Sequence, residues 1–211
     1  MIVTVVILTK STMKGGFCIT GFDLNSRKWI RFVTDETGTP LMEPQTKFFN
    51  VPGVLKPLDI VRVNMIKNVP ANNHTEDVIV NYETLSKRGT SRLEAVRRFH
   101  PEEEHDFIFG NNLDFLTQQE MQKFKFDYSL VFVSVKNFEI TYQQKIDRIS
   151  CRASFNYNGN NYSSIRITDP DYTNQSEPVN LDEAFLVMSM PKVPYEKDGR
   201  FYKFVAKIFP H

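Results

Sequence analysis

Residues Ile149–Thr168 read ISCRASFNYNGNNYSSIRIT. Positions 149–157 alternate apolar with polar side chains, the period of a strand with one buried face. Asn158-Gly159 follows, and that pair suits a two-residue hairpin turn because both positions need a positive φ. The return strand is 162–168. Outward from this hairpin the last third of the chain stays β. Residues 129–142 (SLVFVSVKNFEITY), 184–190 (AFLVMSM) and 201–209 (FYKFVAKIF) are apolar strands, and Thr168-Asp169-Pro170-Asp171 breaks the sheet between them.

The first third has the same texture. Residues 2–8 (IVTVVIL) form a β-branched run, and Lys14-Gly15-Gly16 marks a turn into 17–23 (FCITGFD). Asn25-Ser26 precedes 29–33 (WIRFV), and 58–67 (LDIVRVNMIK) and 76–82 (EDVIVNY) are further strands. Five short strands with polar turns suit a small barrel. The middle differs. Ser91-Arg92-Leu93-Glu94 and Thr117-Gln118-Gln119-Glu120 both have the form of a helix capping box. Leu93, Val96 and Phe99 recur at helical spacing until His100-Pro101 stops the run, and the second box leads a short helix through Phe124. Between them 107–112 (FIFGNN) reads as an extended piece closing on a turn. The expectation is a mainly β chain: a first barrel over 1–90, a short helical linker over 91–127 and a second barrel over 128–211.

Composition bounds the function. The 211 residues suit one large domain or two small ones. At 41% hydrophobic and 24% charged, the chain is no disordered tail, and its 13% aromatic content favours sheet. The 26 Lys+Arg and 25 Asp+Glu are spread evenly over both halves, which argues against a globally basic, non-specific DNA binder. Cys18 and Cys151 lie far apart without a CxxC, and His74, His100, His105 and His211 show no HExxH spacing. A disulfide scaffold and a thiolate zinc site are therefore not expected. The apolar run 2–8 is too short for a membrane helix and is followed by TKSTMK. The expectation is a cytoplasmic protein without cofactor or metal.

Three groups of motifs together resemble the bacterial dual OB-domain protein family. The first is Lys14-Gly15-Gly16-Phe17-Cys18 with Gly21 and Lys28-Trp29-Ile30-Arg31. The second is Arg152-Ala153-Ser154-Phe155-Asn156-Tyr157-Asn158-Gly159 with Tyr162 and Thr168-Asp169-Pro170. The third is Leu186-Val187-Met188-Ser189 with the run from Tyr202 to Ile208. His100-Pro101 and Phe109-Gly110 fit the link between the halves. The resemblance spans nearly the whole chain and departs at Phe32, where a proline is expected after Ile30-Arg31. It implies two OB-like barrels in one chain. It also implies a setting of bacterial or phage defence in which nucleic acid or a nucleotide is recognised. It carries no catalytic residues.

Several side chains suit such a ligand. Lys14 with Gly15 and Gly16 offers charge and close backbone approach to a phosphate, and the same glycines serve a plain turn. Trp29 and Arg31 lie two apart on a strand and share a face, a stacking platform or a core anchor. Arg88, Arg92, Arg97 and Arg98, with Lys87, form the densest basic cluster, a phosphate grip or a solvated face. Lys203 points opposite to Tyr202 and Phe204, toward a phosphate or solvent. Asp169 and Asp171 are the one enzyme-like pair, equally served by a turn. Three functions stay open. One is a non-catalytic module for single-stranded nucleic acid or a nucleotide. Another is a protein-interaction adaptor for a neighbouring effector. The last is a metal-dependent hydrolase using Asp169 and Asp171.

Overall fold

The computed structural model describes every residue except Lys14, Ile146, Asp147, Asn174 and Ser176. It divides into two compact units, Met1–Pro101 and Glu102–His211. The first contains β1 (Ile2–Met13), β2 (Gly16–Asp23), β3 (Trp29–Val33), β4 (Asp59–Asn68), β5 (Asp77–Thr90) and α1 (Leu93–Phe99). The second contains β6 (Phe115–Leu116), α2 (Gln118–Phe124), β7 (Leu130–Lys145), β8 (Arg148–Tyr157), β9 (Asn160–Ile167) and α3 (Pro170–Thr173). It ends with β10 (Val179–Ser189), β11 (Phe201–Tyr202) and β12 (Phe204–Pro210).

The first sheet is a closed barrel in the order β1-β2-β3-β5-β4, with β4 pairing back on β1. The chain reverses at every pairing except one, where β3 meets β5 in parallel. Val3, Val5 and Ile7 on β1, Ile30 and Phe32 on β3 and Val61 and Val63 on β4 fill the interior, as a period of two requires. The second sheet repeats that order. β7 pairs with β8, β8 with β9, β9 with β12 in parallel, β12 with β10 and β10 with β7. Its interior holds Val131, Val133 and Val135 from β7, Ala153 and Phe155 from β8 and Leu186 from β10. Asn158 and Gly159 turn the β8–β9 hairpin at φ 48° and 76°, the turn that the sequence pair predicts.

Some local expectations change. The helical stretch 91–127 divides, with α1 in the first unit and α2 in the second. Thr117 and Glu120 form their capping box, whereas Ser91 does not: Arg92 takes the N-cap position of α1 without a side-chain cap bond. Residues 108–110 form a 3-10 turn in place of an extended piece, and Phe109 sits at φ 51° inside it. The apolar run 201–209 is interrupted at Lys203, so that its start pairs with β6 and its remainder with β10 and β9. Asp169 and Asp171 end the β9 strand as a turn. Asp169 is buried, accepts from the Ile208 N–H at 3.0 Å and lies 3.1 Å from the Lys207 ammonium. The Asp171 carboxylate caps the other side of that ammonium. Burial works against the Lys207 charge, and Asp169 with Asp171 outweighs it, so its pKa is raised.

Gly21 marks a place where the first barrel admits no side chain. A Cβ there would stand 2.0 Å from the Val6 carbonyl oxygen and 2.9 Å from the Ile7 Cα. Gly21→Ala is expected to lower stability by about 3 kcal/mol, the upper range of overpacking costs, because the obstruction is backbone that cannot swing away. Gly89→Ala, where nothing lies within 4 Å, is the control expected to change little. Urea unfolding followed by circular dichroism reads both.

Candidate nucleic-acid interface

The residues expected to bind a ligand do not gather in one place. Lys14 lies outside the described residues. Gly15, at φ 81°, forms the turn between β1 and β2, and Gly16 packs against the Leu41 carbonyl, where a Cβ would approach to 2.8 Å. Both glycines are thus accounted for by backbone geometry. Arg92 and Arg98 are exposed on α1 and Arg97 is half-buried, the latter two in its last turn, where the helix dipole favours them. Arg88 stands apart from them on β5, in a groove lined also by Arg62.

Trp29 and Arg31 share the outer face of β3, as their spacing predicts. The half-buried Trp29 ring packs 4.1 Å from Phe22, which stacks on His100 at 3.7 Å. Arg31 has a different fate from an open platform. It is buried, with its guanidinium 2.9 Å from Glu76 and 3.1 Å from Asp77 and in contact with the His74 ring. Glu76 and Asp77 lie where the chain after β4 enters β5, the strand that pairs with β3. Burial opposes the Arg31 charge, and the Glu76 and Asp77 carboxylates outweigh it, so its pKa is raised. Burial also pushes the Cys18 thiol up, so that it stays protonated. The guanidinium is committed to these carboxylates and is not presented to a phosphate.

Lys203 is a correction of another kind. It does point opposite to Tyr202 and Phe204, but that direction is inward. Its ammonium is enclosed by the carbonyl oxygens of Ile108 (2.7 Å) and Asn111 (2.6 Å) and the Asn111 side-chain oxygen (2.7 Å). Those three acceptors match its three N–H donors. Burial pulls its pKa down to about 7, against the pull of Glu120 and Asp114. Two tyrosines fasten the same segment. The Tyr162 hydroxyl accepts from the Ile108 N–H and donates to the Asn111 carbonyl, and Tyr157 does the same with His105 and Glu103.

Sequence reasoning missed the outer face of the β8–β9 hairpin. With Ala153, Phe155 and Tyr157 facing the core, Arg152, Ser154 and Asn156 face outward, and β9 adds Asn161, Ser163 and the exposed Arg166. Arg152 lies opposite Arg166, and Arg166 lies opposite Phe204 on β12, so two guanidiniums and a half-buried ring form a row across three strands. The same unit holds an aromatic group built from β6, β11 and the loop between β10 and β11. Tyr202 lies 6.0 Å from Phe115 and 6.1 Å from Tyr195, and the Arg200 guanidinium lies over Phe115 at 4.0 Å. The Tyr202 hydroxyl donates to Asp198 at 2.7 Å, which orients the ring and raises the phenol pKa. Tyr195 is half exposed, at 50%. The signal available in sequence was the outward set of the alternating hairpin.

Among the described residues no group of three His, Cys, Asp or Glu side chains is placed to hold a metal, and no helix is long and apolar enough to cross a membrane. Two outcomes check the buried charges. Arg31→Ala leaves Glu76 and Asp77 buried without their cation and is expected to cost about 3–5 kcal/mol in urea unfolding. Lys203 gives a pH dependence. The folded protein releases its proton near pH 7 and the unfolded chain near 10.5, so the unfolded chain binds more protons in between. Unfolding free energy should therefore rise with pH across that window, and Lys203→Met should flatten the rise.

No curated protein and no solved structure matches the chain. A family profile does, over residues 3–208, which takes in both units from the first strand to the last. The chain belongs to the dual OB-containing domain family.

Proposed function

We propose that both rings of strands serve as OB barrels and that the chain is a non-catalytic module for single-stranded nucleic acid. The strand lies on the outer face of the second unit. OB barrels take oligonucleotides on the face of their second and third strands and on the loops beside it. β8 and β9 are those strands in the second unit. The observation that carries the reading is the row of Arg152, Arg166 and Phe204 across β8, β9 and β12, and the same unit also holds the aromatic group of Phe115, Tyr195, Tyr202 and Arg200. Guanidiniums meet the phosphates, and flat rings stack on the bases without reading their sequence. The corresponding edge of the first barrel is closed to a strand by its own ion pairs around Arg31. A near-neutral chain fits this reading, because stacking and a local row of arginines replace a general positive field. The setting we propose is a bacterial or phage defence system in the cytoplasm.

Fluorescence anisotropy with labelled oligo-dT and oligo-U of about 15 nucleotides, over a salt series, tests it. Binding is expected at low salt, and Tyr195→Ala should weaken it by about 1–3 kcal/mol, the loss of one stacked base. Arg166→Ala should weaken all sequences alike and flatten the salt dependence by about 0.7 in log–log slope. Absence of binding at low salt, or binding indifferent to both substitutions, overturns the reading.

A further inference from the structure

The first unit carries a groove that the strand-binding face does not use. Between β4 and β5 the ladder is irregular. Arg62 pairs with Ser86, yet Asn64, two residues on, pairs with Asn81, so residues 82–85 bow out of the sheet. The Thr84 hydroxyl fills part of the gap by accepting from the Asn64 N–H at 2.9 Å. The result is an open groove of about 540 Å³ lined by Ile2, Phe49, Asn50, Arg62, Thr84 and Arg88, among others. A volume of that order suits a small molecule.

Its chemistry is specific. Arg62 and Arg88 are both exposed, and neither guanidinium has an ion-pair or hydrogen-bond partner among the described residues. Arg27, Arg92 and Arg98 of this unit are exposed too, but only Arg62 and Arg88 line this groove together. No acidic residue lines it. Opposite charge is supplied only by a ligand. The Phe49 ring is 68% exposed, a large apolar surface presented to water. It is held there rather than loose. The Phe49 N–H donates to the Leu85 carbonyl at 3.0 Å, and the Asn50 amide both donates to and accepts from the Lys87 backbone at 2.9 Å. These bonds hold the backbone of Phe49 and Asn50 beside β5, which places the ring at the rim of the groove.

We propose that this groove is a separate site for a nucleoside phosphate. The base stacks on Phe49, and the phosphates lie between Arg62 and Arg88, whose planar forks suit phosphate oxygens. The Thr84 hydroxyl donates to the Asn81 carbonyl and keeps only an acceptor position, so it is the exposed Asn64 that offers a side-chain amide to the ribose. The phosphate belongs either to a free nucleotide or to the phosphorylated end of a strand. The inference stands on this groove alone and does not need the strand-binding face of the second unit.

The test uses the full-length chain and ATP carrying a methylanthraniloyl fluorophore on its ribose. Saturable binding is expected, displaced by unlabelled ATP and not by adenosine or inorganic phosphate at equal concentration. Arg62→Ala and Arg88→Ala should each weaken it about fivefold or more, the loss of a charge-assisted contact. Phe49→Ala should weaken it as well, through the loss of the stacking ring. Arg166→Ala, on the second unit, should leave it unchanged, which separates this site from the strand-binding face. Displacement by 5′-phosphorylated oligo-dT, and not by its 5′-hydroxyl form, assigns the ligand to strand ends; displacement by ATP alone assigns it to free nucleotides. The proposal is overturned if ATP does not bind, if Arg62→Ala and Arg88→Ala bind as tightly as the parent, or if adenosine competes as well as ATP.

Discussion

A ring of five strands built from antiparallel neighbours closes here through one parallel pair, and that seam constrains everything around it. In the first unit the seam is β3 with β5, three register pairs long; in the second it is β9 with β12, two pairs long. Parallel pairs are slightly weaker per residue, and these are short. Each is reinforced by a buried cation bonded to carboxylates. Arg31 crosses the first seam to Asp77, its register partner, and Lys207 on β12 meets Asp169 at the end of β9. A slip of one residue would turn Arg31 into the apolar interior and carry Ile30 and Phe32 out of it, so charge and pleat enforce the same alignment.

The seam also differs between the two units in the strand that carries its cation. In the first, Glu76 and Asp77 at the entry to β5 hold the cation of β3. In the second, Asp169 after β9 holds the cation of β12, and the loop after β10 carries Tyr195, which lies beside Tyr202 of β11 and through it near Phe115 of β6. The same strand order thus takes its closing cation from the earlier strand of the seam in one unit and from the later strand in the other. Tyr157, Tyr162 and Lys203 then hold residues 103–111 against the second unit, with each backbone group they touch hydrogen-bonded.

The strands were largely legible in the sequence, and the fates of the charges were not. The reading of 29–33 coincides with β3, and 149–157 matches β8 within a residue, because alternation and turn chemistry are local. Thr117 and Glu120 formed their capping box. Ser91 and Glu94 had the same spacing and did not, because the helix starts at Leu93 with Arg92 at the N-cap position, one residue after Ser91. Arg31 looked like a free platform since its partners lie 43–46 residues downstream. Lys203 showed its direction by alternation, yet alternation cannot say which side is inside when the neighbours are also aromatic. The groove beside Phe49 and Arg62 arises from a break in ladder register, and nothing in the composition of 82–85 announces it.

The two seams also set an order of events during synthesis. Each joins residues far apart in the chain, 46 positions between Arg31 and Asp77 and 38 between Asp169 and Lys207. Contacts of such span form late, after the entropy of closing the intervening loop has been met. As the chain emerges from the ribosome, the first ring has its full set of strands once β5 is out, while the second waits for β12. Until then β9 and β10 each present a bare edge, and bare edges recruit other strands. The first unit passes through the same state, with β3 and β4 bare until β5 is made, so each unit has a window for misassembly as long as the time needed to translate from β4 to β5 or from β10 to β12.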